Sequence, residues 1–183
     1  MPKTSLIASA PLAFVLFCGA AHGQDFKVLS DSPVDGRFQS AQFANGFGCS
    51  GKNVSPHIAW QGAPQGTKSF VVTMYDPDAP TGSGWWHWVV ANIPAGVTEL
   101  KEGAGSTAGT LPAGALQVRG DSGMPSFTGL CPPAGETHRY VITVNALKVD
   151  KLELPAQVTP AMLGFMTLGA SLAKAQLTVL GSR

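Results

Sequence analysis

Charge is scarce in this chain. Charged residues make up 13% of its 183 positions, and 12 Lys and Arg against 11 Asp and Glu leave a net charge of +1. No basic stripe exists to follow a nucleic-acid backbone, and no polybasic run exists to hold the chain on an anionic membrane surface. Long apolar runs are missing too. Beyond the N-terminus nothing approaches the ~18 consecutive apolar residues of a spanning helix, so no transmembrane segment is expected. Cysteine is limited to Cys18, Cys49 and Cys131. That is too few, too widely spaced, for a zinc site.

What is present begins with an export signal. Lys3 supplies a positive start, residues 6–17 are an apolar run of secretory length, and Ala21, His22 and Gly23 form a small-x-small cleavage pattern. Residues 1–23 are therefore expected to be a cleavable signal peptide and residues 24–183 a single domain, in a periplasmic or secreted protein. The bulky Phe17 before Cys18 speaks against lipid attachment there. Cleavage removes Cys18 and leaves an even pair. In an exported protein that pair predicts a disulfide between Cys49 and Cys131.

The 22 Gly and 14 Pro fall between short apolar runs, the punctuation of a mainly β domain. Residues 70–76 alternate, with Phe70, Val72, Met74 and Asp76 on one face. Residues 85–93 read as a second strand, placing Trp85, His87, Val89 and Ala91 on one side and Trp86, Trp88, Val90 and Asn92 on the other. Residues 138–147 read as a third, with His138, Tyr140, Ile142 and Val144 together. Residues 26–30, 57–60 and 176–180 are weaker strands. One helix is expected: Thr159 is a suitable N-cap and Pro160 suits the first helical position. Met162, Phe165, Met166, Leu168 and Leu172 would supply its buried stripe. Residues 101–115 read as a long surface loop.

Two motifs are decoys. "GFGCSGKN" (residues 46–53) nearly fits phosphate-loop patterns, but these need a helix to start at once, and Pro56 follows instead. "RGDSGMP" (residues 119–125) shares four residues with a serine-protease nucleophile loop, yet Ser122 has no histidine in a suitable sequence setting. Both read as turns. More informative are "YDPDAP" and "GETHRY", which set an acid, a histidine and a tyrosine at strand ends beside Pro- and Gly-rich loops, where sites concentrate.

With "FGCSGKNVSPHIAW", "YDPDAPTGSGWWHWVVANIP", "CPPAGETHRYVITVNAL" and "LAKAQL" in that order, the chain resembles the phosphatidylethanolamine-binding proteins, in their bacterial Raf-kinase-inhibitor-like branch. The resemblance implies a β-sandwich-like fold with a Greek-key antiparallel sheet and a C-terminal helix. It also implies a pocket for a small anion, either phosphate or a phospholipid headgroup. Matched motif by motif, Asp76 is the pocket acid, Ala79 and Pro80 its rim, and His87 and His138 its histidines; Tyr140, Pro132 and Pro133 complete the set. Two departures stand out. Asn145 replaces an aromatic residue, and "LGASLAKA", expected in the C-terminal helix, has no His or Tyr to cap the pocket. No cofactor or bound metal is expected.

The physical reading is a binding protein, with a role as modulator or inhibitor of another protein open beside it. Imidazoles would donate to anion oxygens and Asp76 would favour a histidine cation, giving tighter binding as pH falls through about 6 to 7. Arg139 points away from His138 in strand alternation and is expected in a structural pair. The alternative is a hydrolase that uses Asp76, His87 and His138 on a phosphoester or ester, directly or through a metal. The lack of a nucleophile beside a base favours the non-enzymatic reading.

Overall fold

A computed structural model describes Met1 and residues 25–106 and 111–183. The expected signal peptide, its cleavage site and part of the 101–115 loop lie outside the described residues. In chain order the elements are β1 (Lys27–Leu29), β2 (Asn45–Gly46), β3 (Cys49–Ser50), β4 (Ile58–Gln61), β5 (Ser69–Asp76), β6 (Trp85–Pro94), β7 (Glu99–Leu100), β8 (Leu116–Gln117), β9 (Thr137–Leu147), α1 (Pro160–Leu168) and β10 (Ser171–Ser182). All the strands read from sequence form, and the weak 176–180 candidate extends to twelve residues.

The main sheet has the order β10-β9-β5-β6-β8, with every neighbouring pair antiparallel. Within it, β9-β5-β6-β8 is the fourth-first-second-third arrangement of a Greek key. A smaller sheet, β1-β4-β7, accompanies it. Phe70, Val72 and Met74 of β5 join Ile142 and Val144 of β9 and Ile58 and Trp60 of β4 in the larger apolar cluster. Val71, on the opposite face of β5, packs with Leu147 and the helix residue Leu163 in a second cluster. The sheet is therefore covered on both faces.

Strand β6 departs from simple alternation. Met74 pairs with Trp88 and Tyr75 with Trp86, so His87 has no residue opposite it on β5. A second irregularity sets Ala91 and Asn92 against the single residue between Phe70 and Val72. Asn92 there adopts φ 56°, and its side chain both donates to and accepts from the Leu152 backbone. These β-bulges shift side chains across the sheet. Trp88 and Val90 join the larger core cluster, while Trp86, Val89 and Ala91 pack in the second. The expected grouping of Trp86 with Trp88, and of His87 with Val89, is thus corrected.

The helix begins as read: Thr159 Oγ1 accepts from the Met162 N–H, and Pro160 follows at the first position. Its buried face is different. Pro160, Leu163 and Thr167 pack inward, whereas Phe165 and Leu168 are each 75% exposed and Met162 and Leu172 are exposed as well. "LGASLAKA" is also not helical beyond Leu168, because β10 begins at Ser171 to pair with Leu147 of β9.

The segment 46–53 is a hairpin. Phe47 (φ 53°) and Gly48 (φ 80°) both occupy the left-handed region between the paired Gly46 and Cys49, as a tight hairpin turn requires. Cys49 is bonded to Cys131, 82 positions away. Chain-entropy reasoning values such a closure at roughly 4 kcal/mol before native strain. The double variant Cys49→Ser/Cys131→Ser is expected to lose about 2–4 kcal/mol in urea unfolding. An unchanged midpoint would show that the closure contributes nothing.

Candidate functional site

Asp76 ends β5 and His138 lies near the start of β9, on neighbouring strands of the main sheet. Both are 3% exposed. The Asp76 carboxylate accepts three hydrogen bonds: Oδ1 from the Asp78 and Ala79 backbone N–H groups at 2.8 and 3.0 Å, and Oδ2 from His138 Nδ1 at 2.7 Å. The first two contacts shape the turn after β5, the Asx geometry that "DPDAP" favours. At the other ring nitrogen, His138 Nε2 lies 3.0 Å from Glu136 Oε2. An ionised carboxylate only accepts, so both contacts are made at once when His138 carries a proton on each nitrogen, as an imidazolium.

The pKa of His138 agrees. Burial, the largest single influence, pushes it down, but the hydrogen bonds to Asp76 and Glu136 and their negative charges together raise it above the ordinary histidine value. His87 goes the other way. Burial dominates and lowers its pKa, against smaller upward pulls from the Thr128 carbonyl and from Asp76. Its Nδ1 donates to the Thr128 carbonyl at 2.8 Å. A neutral His87 then carries its proton at Nδ1, and Nε2 is left as a lone-pair acceptor. The two histidines are thus pushed in opposite directions, His138 toward the cation and His87 toward the neutral base. His87 shares a face with Trp85, which pairs with Asp76, and the bulge is what brings Trp88 to the Met74 side.

These residues line a cavity of about 180 Å³, with Ala79, Pro80 and Thr81 on one rim and Pro133 and Cys131 on another. Phe47, 75% exposed at the tip of the disulfide-tethered hairpin, closes a third side, and Trp85, Thr128 and Gly129 complete the lining. The rim turn is tight at Gly84, where φ is +70° and a side chain would run into the Tyr75 hydroxyl. At about 180 Å³ the cavity is smaller than the ~300 Å³ lower bound for drug-sized ligands. It has room for a small group rather than for a large enclosed ligand.

Of the residues read from sequence, Asp76, Ala79, Pro80, His87, Pro133 and His138 meet at this cavity. Pro132 and Tyr140 are not in its lining. The Tyr140 ring packs edge-on against His87 at 5.3 Å and against Phe38 at 6.2 Å, and its buried hydroxyl has no hydrogen-bond partner among the described residues. Burial, then the charge of Asp76, raises its pKa far above the phenol norm. Arg139 is structural as expected. It grips Asp78 through Nη2 at 2.6 Å and Nε at 3.0 Å, while its backbone N–H also reaches that carboxylate. The Arg139 side-chain hydrogen bond leads the causes that hold Asp78 at about 2. Ser122 Oγ accepts from Thr128 Oγ1 at 2.7 Å. Phe47, Thr81, Thr128 and Gly129 of the lining, and Glu136 beside His138, are the residues that sequence reasoning missed. Only Glu136 offered a signal, two positions before His138 on the same side of an extended strand.

The family profile described as PBP, phosphatidylethanolamine-binding protein, matches residues 34–182. The chain belongs to the phosphatidylethanolamine-binding protein family. It is 48% identical over 157 residues to the UPF0098 protein YbhB of Escherichia coli (strain K12), covering 85% of this chain and 99% of that one. It is 47% identical over 177 residues to YbcL of the same organism, covering 95% and 96%. The crystal structure of E. coli YbcL, described as a new member of the mammalian PEBP family, superposes with a TM-score of 0.82. The match covers 87% of this chain and 99% of that one at 44% identity. A putative family homologue, CT736 from Chlamydia trachomatis, matches with a TM-score of 0.67 at 28% identity, over 85% and 95% of the two chains. The mainly antiparallel architecture with one short helix late in the chain is therefore the fold of this family.

Proposed function

We propose that this family member is an exported binding protein whose Asp76–His138 cavity holds a small phosphate-like anion, free or as a phospholipid headgroup. The observation that carries the reading is the second N–H of His138. It is a charged donor at a cavity, occupied by a carboxylate of the chain's own, Glu136, whose side chain is 55% exposed. A ligand oxygen in place of Glu136 meets the same donor, and charge-assisted hydrogen bonds of this kind are the strong ones. A singly protonated phosphate oxygen can in turn donate to Nε2 of His87. The displaced Glu136 carboxylate is then free to pair with a cationic group, as an ethanolamine headgroup carries.

The pH dependence follows from the direction of the His138 shift. A histidine whose folded-state pKa is raised contributes stability fully below its ordinary value near 6.5, and loses it as pH rises through the raised value. Anion affinity tracks the same proton. Binding is expected to persist through the ordinary histidine range and to weaken only above it, a higher window than the sequence alone suggests.

The test is an NMR titration of wild type and Glu136→Gln with phosphate, phosphoethanolamine, sulfate and acetate. Phosphate is expected to shift the His138 and His87 ring signals, and sulfate, which has no proton to give His87 near neutral pH, to bind less well. Removing the competing carboxylate is expected to tighten phosphate by about tenfold, with a smaller gain for phosphoethanolamine. A wild type that ignores millimolar phosphate, or a Glu136→Gln variant that binds it no better, overturns the reading.

A further inference from the structure

A larger cavity, about 390 Å³, lies across the main sheet from the anion site. Its floor is a grid set by strand register. Lys174 of β10, Asn145 of β9 and Val71 of β5 form one row. Gln176, Thr143 and Thr73 form the next, with the Gln176 amide donating to the Thr143 hydroxyl at 2.9 Å. Val141 and Tyr75 form a third. Helix α1 stands along one side, presenting Leu163 and Leu168. Tyr75 and Trp86 close the far end with ring centroids 4.4 Å apart.

The polarity of this groove is one-sided. Lys174 and Asn145 face each other on adjacent strands, a pairing that holds Cβ atoms about 5 Å apart. Neither the Lys174 ammonium nor the Asn145 amide has a hydrogen-bond or ion partner among the described residues. No carboxylate lines the cavity. The rest of the lining is largely apolar, and Leu168 on its rim is 75% exposed. The volume exceeds the ~300 Å³ lower bound for small-molecule sites. An unpaired cation beside an amide donor, at one end of an apolar trough, complements a ligand with one negative head and an apolar body. A second negative charge would go unpaired there.

We propose that this groove binds a single-chain amphiphile bearing one negative charge, of the alkyl or arylalkyl carboxylate class. The head sits on Lys174 and Asn145, and the body runs past Val71 and Leu163 toward Tyr75 and Trp86. The site is independent of the anion cavity, because the alternate residues of β5 and β9 that build it face the opposite side of the sheet.

The test is a backbone-amide NMR titration of the protein with decanoate below its micelle concentration, with decanol and decyltrimethylammonium as charge controls. Decanoate is expected to shift signals of Lys174, Asn145, Thr143 and Val71 together and saturably, and saturating phosphate is expected not to displace it. Lys174→Gln, at an exposed position, is expected to weaken decanoate by about tenfold or more without weakening decanol. Equal responses to the anionic and cationic amphiphiles, or decanoate shifts confined to His87 and His138, overturn the proposal. So does an unaltered Lys174→Gln titration. A concentration-dependent rise in mass that perturbs the same amides without ligand would assign the groove to a second copy of the chain, and also overturns it.

Discussion

Replacing Asp76 with alanine is expected to lower folding stability by about 3–5 kcal/mol, the usual cost of breaking one partner out of a buried ion pair. Three donors lose their acceptor at once: the Asp78 and Ala79 N–H groups and Nδ1 of His138. Two of them hold the turn that forms the cavity rim, and the third belongs to a charged ring that is 3% exposed. Urea unfolding checks the magnitude, read as a shift of midpoint at constant slope. Asp76→Asn separates the parts, because its amide oxygen still caps the turn while the charge opposite His138 is gone. It is expected to cost less than alanine, and in both variants the His138 ring should titrate at lower pH by NMR. An alanine variant within about 1 kcal/mol of wild type would mean that the pair does not support the fold as described.

His138→Ala is expected to abolish the phosphate response, a loss on the order of 100-fold, since a hydrogen bond from a charged donor contributes about 1.5–3 kcal/mol. The variant leaves Asp76 buried without its cation, so it will also unfold more readily. Binding must therefore be compared at a temperature where near-ultraviolet spectra show both proteins folded. His87→Phe is the informative partner. It removes the neutral acceptor and leaves the His138–Asp76 pair intact, so it should weaken phosphate more than sulfate. Retention of phosphate affinity within a few-fold in His138→Ala would place the anion elsewhere on the molecule.

Much of the scaffold was legible because its signals are local. The alternation of 70–76 and 138–147, the Thr159–Pro160 helix start and the Gly-rich turn at 46–53 each depend on residues close together in sequence. The disulfide followed from the parity of the cysteines left once residues 1–23 are read as an export signal. Asp76 and His138 could be grouped because each sits at the end of a strongly alternating strand. The failures have a common physical origin in tertiary packing. Nothing within residues 85–94 announces two bulges, so the period-2 reading put Trp86 and Trp88 on one face when the sheet separates them. The helix has apolar residues nearly all round, and its buried face was decided by the contact of Leu163 with Val71 and Leu147, not by the widest stripe. "LGASLAKA" has strong helix formers, yet pairing with β9 draws it into a strand. Glu136 was passed over because its importance lies in reaching a ring two residues away, a contact set by the extended backbone at the start of β9.

The bulge at His87 also bears on how the family can vary. The main site depends on the number of residues in β6 as much as on their identities. Any substitution at positions 85–87 leaves the neighbouring side chains on their own faces. Deletion of the Trp86 codon would let the ladder close without the bulge and set His87 opposite Tyr75, so the anion cavity would lose its histidine and the groove its tryptophan at one stroke. Drift by point substitution can therefore retune either cavity separately, whereas a change of length in this strand would disturb both at once.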